Sequence, residues 1–349
     1  MATYLVLFWT SALAALQIRR KRSARIALWV MVAVLVFFAG TRFEVGCDYT
    51  GYLLRFENFY LEETWTSLLS EAESGFHLLN FALIEGGFDY EALILVSSVI
   101  YLLCLLRFSK LSERPLDVLV LMFPILVVQL GMSGLRQALA LGFLLLSLAA
   151  FVEKRTFVSA FWILFGSFFH ASVLIFLPIA LLARREISFV RLSAAILVLG
   201  PIAAFLMGER VELYEARYIE QEFGENSSSG AWFRYAIAIV PFVVFEWKRK
   251  LVERNHPRLY PLLRLFSLIA FSLPLVGLIS SVALHRLGFY VMPVSILTLV
   301  CIAHSVFAPG SRKIAVFLPF LAYGLYLFVW FSQSRHAASC YVPYQSWMI

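Results

Sequence analysis

Charge is what this sequence has least of. Aspartate, glutamate, lysine and arginine make up 15% of its 349 residues, against 61% apolar. A soluble domain carries about 25% charged residues and is about half apolar. A water-soluble fold of this length could not hide so much apolar surface, so lipid must be its main solvent. Charge is also missing from the centres of the long apolar runs, where ion-coupled transporters place titratable groups. No polar stretch is longer than a loop, so residues 1–349 read as a single polytopic membrane domain. No internal repeat of fixed period occurs, which argues against a solenoid. GxGxxG, P-loop, HExxH and GxSxG motifs are absent, so nucleotide and zinc chemistry, a cofactor and a nucleic-acid partner are not expected. The four cysteines show no metal-ligand spacing. Cys104 and Cys301 fall inside apolar runs and read as core filler. Cys47 and Cys340 fall in predicted outer segments and are either free thiols or, in an oxidising compartment, a disulfide.

What is present is a series of apolar runs, at roughly 3–18, 26–41, 89–108, 116–131, 137–152, 156–168, 171–183, 189–207, 232–247, 260–282, 287–308 and 313–332. The first has no basic residue in front of it and a basic cluster behind it, the order of a true span rather than a secretory signal. The runs 156–168 and 171–183 make either one long helix or a hairpin turning near His170. Charge decides between them. With a hairpin, the inner segments hold all six lysines and fifteen arginines against six acids, and the outer segments hold eight arginines against sixteen acids. With one helix, Lys248, Arg249 and Lys250 fall outside, against the positive-inside rule. The expectation is an all-α integral membrane protein with about twelve transmembrane segments and both termini outside.

Three outer segments are long enough to carry a site. Residues 42–91 hold Asp48, Tyr49, Tyr52, Arg55 and Phe56 at spacing that suits an interfacial helix. They also hold Phe76 to Ile84, a piece expected to dip into the membrane without crossing. Residues 208–231 hold Leu213, Tyr214, Arg217 and Tyr218 at helical spacing, then a hinge-like Asn226-Ser227-Ser228-Ser229-Gly230. The tail 333–349 holds Pro343, Tyr344 and Trp347. Every outer basic residue is an arginine: Arg42, Arg55, Arg136, Arg210, Arg217, Arg234, Arg286 and Arg335. A surface needs only a charge, whereas a forked guanidinium suits phosphate or carboxylate. Arg136 and Arg286 sit in short turns between apolar runs, where a charge is costly and points to function unless it snorkels to the headgroups. His170, at the predicted hairpin tip, is a base, a donor or a cap on helix carbonyls. Arg42, Glu44, Asp48 and Glu73 form an acid-rich cluster, and Gly46 permits a sharp turn inside it. This is either an ordinary acidic loop or a carboxylate that deprotonates a sugar hydroxyl.

These pieces resemble a known family. Arg42-x3-Gly46-x-Asp48-Tyr49-x2-Tyr52-x3-Phe56 is similar to the first outer loop of EpsG-type polysaccharide polymerases, relatives of the O-antigen polymerase Wzy. Glu73-x-Gly75-Phe76-x2-Leu79, Gly134-Leu135-Arg136-Gln137-x-Leu139-Ala140, Phe169-His170-Ala171-Ser172, Arg286-Leu287-x2-Tyr290 and Val342-Pro343-Tyr344 resemble its later motifs, in order along nearly the whole chain. Cys47 departs from the first motif. The resemblance implies a GT-C-like membrane bundle in the bacterial inner membrane with its active site facing the periplasm. Its implied activity joins undecaprenyl-diphosphate-linked repeat units, donor and acceptor alike, into polysaccharide, without a metal. A chain-length regulator protein is a further implied partner. Arg136 and Arg286, with Arg42, would bind the diphosphate. Asp48, Glu44 or His170 would act on the acceptor hydroxyl, and Tyr49, Glu73, Tyr214 and Arg217 would bind substrate. An O-antigen ligase, a flippase of lipid-linked oligosaccharide and an acyltransferase using His170 are the rival readings.

Overall fold

The computed structural model describes every residue except 19, 60–72, 184–189, 192, 195, 196, 199–228, 280, 308 and 349. Among the described residues the fold is helical, with one isolated bridge between Arg42 and Ser346. Six helices are long and apolar enough to cross a membrane: Lys21–Gly40, Tyr90–Ser109, Leu135–Val152, Tyr260–Leu278, Ala283–Ser305 and Gly310–Gln333. Four apolar helices are shorter: Ala2–Gln17, Pro115–Gly131, Thr156–Ser167 and Ala171–Leu181. The described residues thus supply six full-length spans where twelve runs were expected. A helix rises about 1.5 Å per residue, so the shorter ones fall below the ~30 Å hydrocarbon thickness. Most of the expected run 189–207 lies outside the described residues, as do Tyr214, Arg217, Tyr218 and residues 226–228 of the expected hinge.

The chain divides into two compact units. The first comprises Met1–Leu145, Phe165–Ala171 and Phe317–Ile349; the second comprises Leu146–Leu164 and Ser172–Val316. In the first unit, α1 (Ala2–Gln17) buries Tyr4, Phe8, Ala12 and Ala15, a stripe at helical spacing. Helix α2 (Lys21–Gly40) buries Leu28, Val32, Leu35 and Phe38. Tyr4 meets Phe38 edge-on at 5.4 Å, and Phe8 stacks on Phe123 at 6.5 Å. Two short helices, α3 (Tyr49–Glu57) and α4 (Ser74–Glu85), precede α5 (Tyr90–Ser109). Helix α4 has 12 residues, too few to cross, as its short apolar run implied.

The run from 116 to 131 is not one regular helix. Helix α6 (Pro115–Met122) passes into a π-helical stretch, Phe123–Gly131. Pro124 sits at its start and offers no N–H, which breaks the regular ladder. Carbonyls freed in an apolar interior need other donors. Tyr101 Oη donates to Leu126 O at 3.0 Å, and Tyr341 Oη to Gln129 O at 3.4 Å. Helix α7 (Leu135–Val152) follows, and α8 (Thr156–Ser167) ends in a turn closed by His170 N–H donating to Gly166 O at 3.1 Å. A 3-10 stretch, Ala171–Phe176, and a short α9 (Leu177–Leu181) come next. The break at 168–170 excludes one continuous helix, as the charge distribution required.

In the second unit, α10 (Ser229–Trp247), α11 (Arg249–Asn255), α12 (Tyr260–Ile279) and α13 (Ser281–Ser305) pack together. Ser295 Oγ donates to Ala238 O at 2.7 Å, across α13 and α10. Glu246 pairs with Arg264 and accepts from Ser267 Oγ at 2.6 Å. Helix α14 (Pro309–Gln333) and α15 (Arg335–Tyr341) close the chain. A Cβ on Gly324 would lie 2.4 Å from Trp9, so α14 approaches α1 only because that residue has no side chain.

Candidate functional site

The site in the first unit grows from four separate pieces of sequence. The first is the loop after α2. Glu44 (φ 52°) and Gly46 (φ 109°) give it two left-handed residues. A Cβ on Gly46 would lie 1.9 Å from Met132 O; glycine alone fits there, and it lets the loop rest on the Met132–Arg136 turn. That contact delivers Asp48 to Ser133. Ser133 Oγ accepts from the Asp48 amide and donates to Asp48 Oδ2, both at 3.3 Å. Asp48 stays exposed.

Three residues past Ser133, Arg136 begins the deeper part. Its Nη1 lies 2.6 Å from Glu73 Oε2, with the Glu73 side chain 10% exposed and that of Arg136 27% exposed. His170 Nδ1 lies 3.8 Å from Glu73 Oε1, an ion-pair distance too long for a hydrogen bond. Glu73 itself is left-handed (φ 61°), and a non-glycine residue in that region stores strain that recurs at functional positions. Two glycine-level contacts fix this arrangement. Gly75 N–H donates to Phe168 O at 2.9 Å. A Cβ on Gly75 would lie 2.9 Å from Phe168 Cβ. The Glu-x-Gly-Phe and Phe-His-Ala segments therefore mate through bare backbone, and the mating puts Glu73 beside His170.

Tyr52 was read as part of an amphipathic pattern and of the first motif but not as a site residue, yet it lies here. It is buried on α3, close enough to Arg136 to feel its charge. Burial pushes its phenol pKa up, Arg136 opposes that shift, and Asp48 adds to it. One signal was available: Tyr52 lies four residues after Asp48 on one helical face. Tyr49, on the same face, packs edge-on to Tyr90 at 5.2 Å.

Arg42 lies inside the loop. It is 1% exposed. Its Nε donates to Val45 O at 3.1 Å and its Nη1 to Ala39 O at 2.5 Å. Its guanidinium therefore shapes the loop from inside rather than facing a ligand. Glu44 is exposed at the loop's outer edge. The tail completes the loop. Phe43 N–H donates to Gln345 O at 3.0 Å, Trp347 N–H to Thr41 O at 3.0 Å and Gly46 N–H to Cys340 O at 2.7 Å. Cys47 and Cys340 are joined in a disulfide, which settles the alternative left open by the sequence. His336 lies close enough that Cys47, His336 and Cys340 bring three ligand-type atoms within 4.8 Å, but both sulfurs are committed to each other.

Arg286 belongs to the second unit. There Arg234 Nη2 lies 2.5 Å from His285 Nδ1, and the Arg234 guanidinium stands 5.2 Å over the Phe289 ring. One turn on, Tyr290 Oη and Ser172 Oγ share a hydrogen bond of 2.7 Å. Ser172 of the Phe-His-Ala-Ser segment thus meets Tyr290 of the Arg-Leu-x-x-Tyr segment. Tyr214 and Arg217 lie outside the described residues.

These features define a helical membrane protein with a carboxylate, guanidinium and imidazole set gathered in its first unit. A family model for the EpsG family matches residues 25–346. The chain belongs to the EpsG family, a family of polysaccharide polymerase type. No curated protein and no solved structure matches it.

Proposed function

We propose that this protein is a glycosyltransferase that polymerises oligosaccharide repeat units carried on undecaprenyl diphosphate, at the periplasmic face of a bacterial inner membrane. The observation that carries this reading is the Ser133–Arg136 turn. One end holds an exposed carboxylate, Asp48, and the other a partly buried guanidinium, Arg136. A sugar transfer of this kind needs both. The acceptor hydroxyl attacks the donor's anomeric carbon, the bond from that carbon to the phosphate oxygen breaks, and the lipid diphosphate leaves with the electron pair. Asp48 takes the hydroxyl proton. Arg136 stabilises the negative charge that gathers on the departing diphosphate. Glu73 orients the Arg136 fork before substrate arrives, and His170 and Tyr52 hold that pair from behind. Arg286, with Arg234, offers cationic groups for phosphate in the second unit. The disulfide between two outer segments supports an oxidising, periplasmic setting for this face.

The test is an Asp48→Asn strain. Polymer should vanish while lipid-linked single repeats accumulate at the outer leaflet. Repeats trapped at the inner leaflet would favour a flippase. Normal polymer would remove Asp48 from the reaction.

A further inference from the structure

The backbone on either side of Asp48 is seated, Gly46 N–H donating to Cys340 O at 2.7 Å and Tyr90 Oη to Tyr49 O at 3.1 Å, but the Asp48 side chain has little of its own to keep it in place. It is exposed, its two bonds to Ser133 are each 3.3 Å long, and the loop before it has no regular structure. Such bonds in contact with water are individually weak. The residue next to it, however, is covalently tied. Cys47 is bonded to Cys340 across 293 residues of chain.

Cys340 is itself firmly seated. It lies on α15, whose start is capped by Ser334 Oγ accepting from Ala337 N–H at 3.3 Å. The next residue, Tyr341, is buried; its carbonyl accepts from Tyr4 Oη at 2.9 Å. Three residues further, Tyr344 Oη donates to Phe38 O at 2.8 Å and its ring stacks on Phe38 at 4.5 Å. The tail is therefore anchored to α1 and α2 without help from the disulfide, whereas the Asp48 carboxylate is held by one 3.3 Å bond from Ser133 and by its covalently tied neighbour.

We infer that the Cys47–Cys340 disulfide is a positioning element for Asp48, so that sugar transfer proceeds only in the oxidised protein. This rests on the role of Asp48 proposed above. Forming the bond removes two protons and two electrons from the thiols and requires a thiol–disulfide oxidant. A dithiol reverses the step, returning the two protons and two electrons and closing to its own cyclic disulfide. Cys104 and Cys301 are buried within helices and outside any disulfide, so Cys47–Cys340 is the bond that a mild reductant meets among the described residues.

The experiment uses the full chain in lipid nanodiscs, oxidised or treated with dithiothreitol, beside a Cys47→Ala/Cys340→Ala double variant. Amide hydrogen exchange is read over residues 43–52 and 341–347, and turnover is read with a synthetic undecaprenyl-diphosphate repeat unit. In the reduced wild type and the double variant, exchange should rise at 47–52 and stay low at 341–347. The rate at saturating substrate should fall about tenfold or more while KM moves less than about twofold. Reoxidation should restore the wild type and leave the double variant unchanged. Unchanged exchange at 47–52 overturns the inference whatever the activity. Raised exchange with undiminished turnover overturns the dependence of sugar transfer on this bond, and it counts against Asp48 rather than against the clamp. Absence of turnover even in the oxidised protein counts against the polymerase reading, and the exchange pattern then decides the clamp by itself.

Discussion

Replacing Arg136 with lysine keeps the cation and removes the fork. The lysine can still approach Glu73, but it cannot serve Glu73 and a phosphate oxygen with two parallel N–H groups. Arg136→Lys should lower polymerisation on the order of 10²-fold and shorten product to single repeats at normal protein level, read on a gel of cell polysaccharide. Gly75→Ala tests the neighbouring contact. Its Cβ would press on Phe168 Cβ, at 2.9 Å, and on Phe168 O, at 3.1 Å. The variant should lose thermal stability and activity together, because the Glu73 turn cannot back away without leaving His170. Arg136 was legible in the sequence because its flanking runs are apolar and its turn is short. Arg42, expected to assist at the diphosphate, is buried and bonded to Val45 O and Ala39 O, which its sequence context did not announce. Its burial comes from the loop it supports and from a tail some 300 residues away, and no local pattern announces a pairing of that range. The disulfide stayed open for the same reason: two cysteines in outer segments are equally compatible with pairing and with free thiols.

At the scale of the helix, apolar composition gave the runs but not their regularity. The stretch 116–131 is apolar enough for a span, and Pro124 was visible in it. What could not be read was the π-helical outcome, which depends on Tyr101 arriving from α5 to take the Leu126 carbonyl. Tyr101→Phe removes that donor from an apolar interior. It should cost about 1–3 kcal/mol, measured as a lower melting temperature in detergent with little change in far-UV helicity. The break at 168–170 was legible because charge on distant loops demanded it, even though the local sequence is compatible with a continuous helix. The shortness of α8 was legible too, since the run 156–168 is itself shorter than a span, but the 3-10 stretch Ala171–Phe176 was not.

For the whole molecule, charge asymmetry carries the orientation and the family match carries the activity. The positive-inside rule predicts an outer placement for residues 42–91 and an inner placement for 246–264. A membrane-impermeant maleimide tests both. Phe88→Cys, at an exposed turn residue, should label in intact spheroplasts, and Lys250→Cys should label only after permeabilisation; the reverse pattern would invert the topology and put Asp48 in the cytoplasm. Composition could supply the solvent of the fold, and spacing could supply single motif pieces. Neither could reveal that the Glu-x-Gly-Phe turn seats on Phe168, or that Ser172 reaches Tyr290, because both pairings join segments about a hundred residues apart. The most direct measurement is to give the purified oxidised protein, in proteoliposomes, a synthetic undecaprenyl-diphosphate repeat unit and resolve the products by size. A ladder of multiples that disappears with Arg136→Lys is the predicted result. A single unextended band from the wild type, or a ladder that Arg136→Lys leaves at full length, would contradict it.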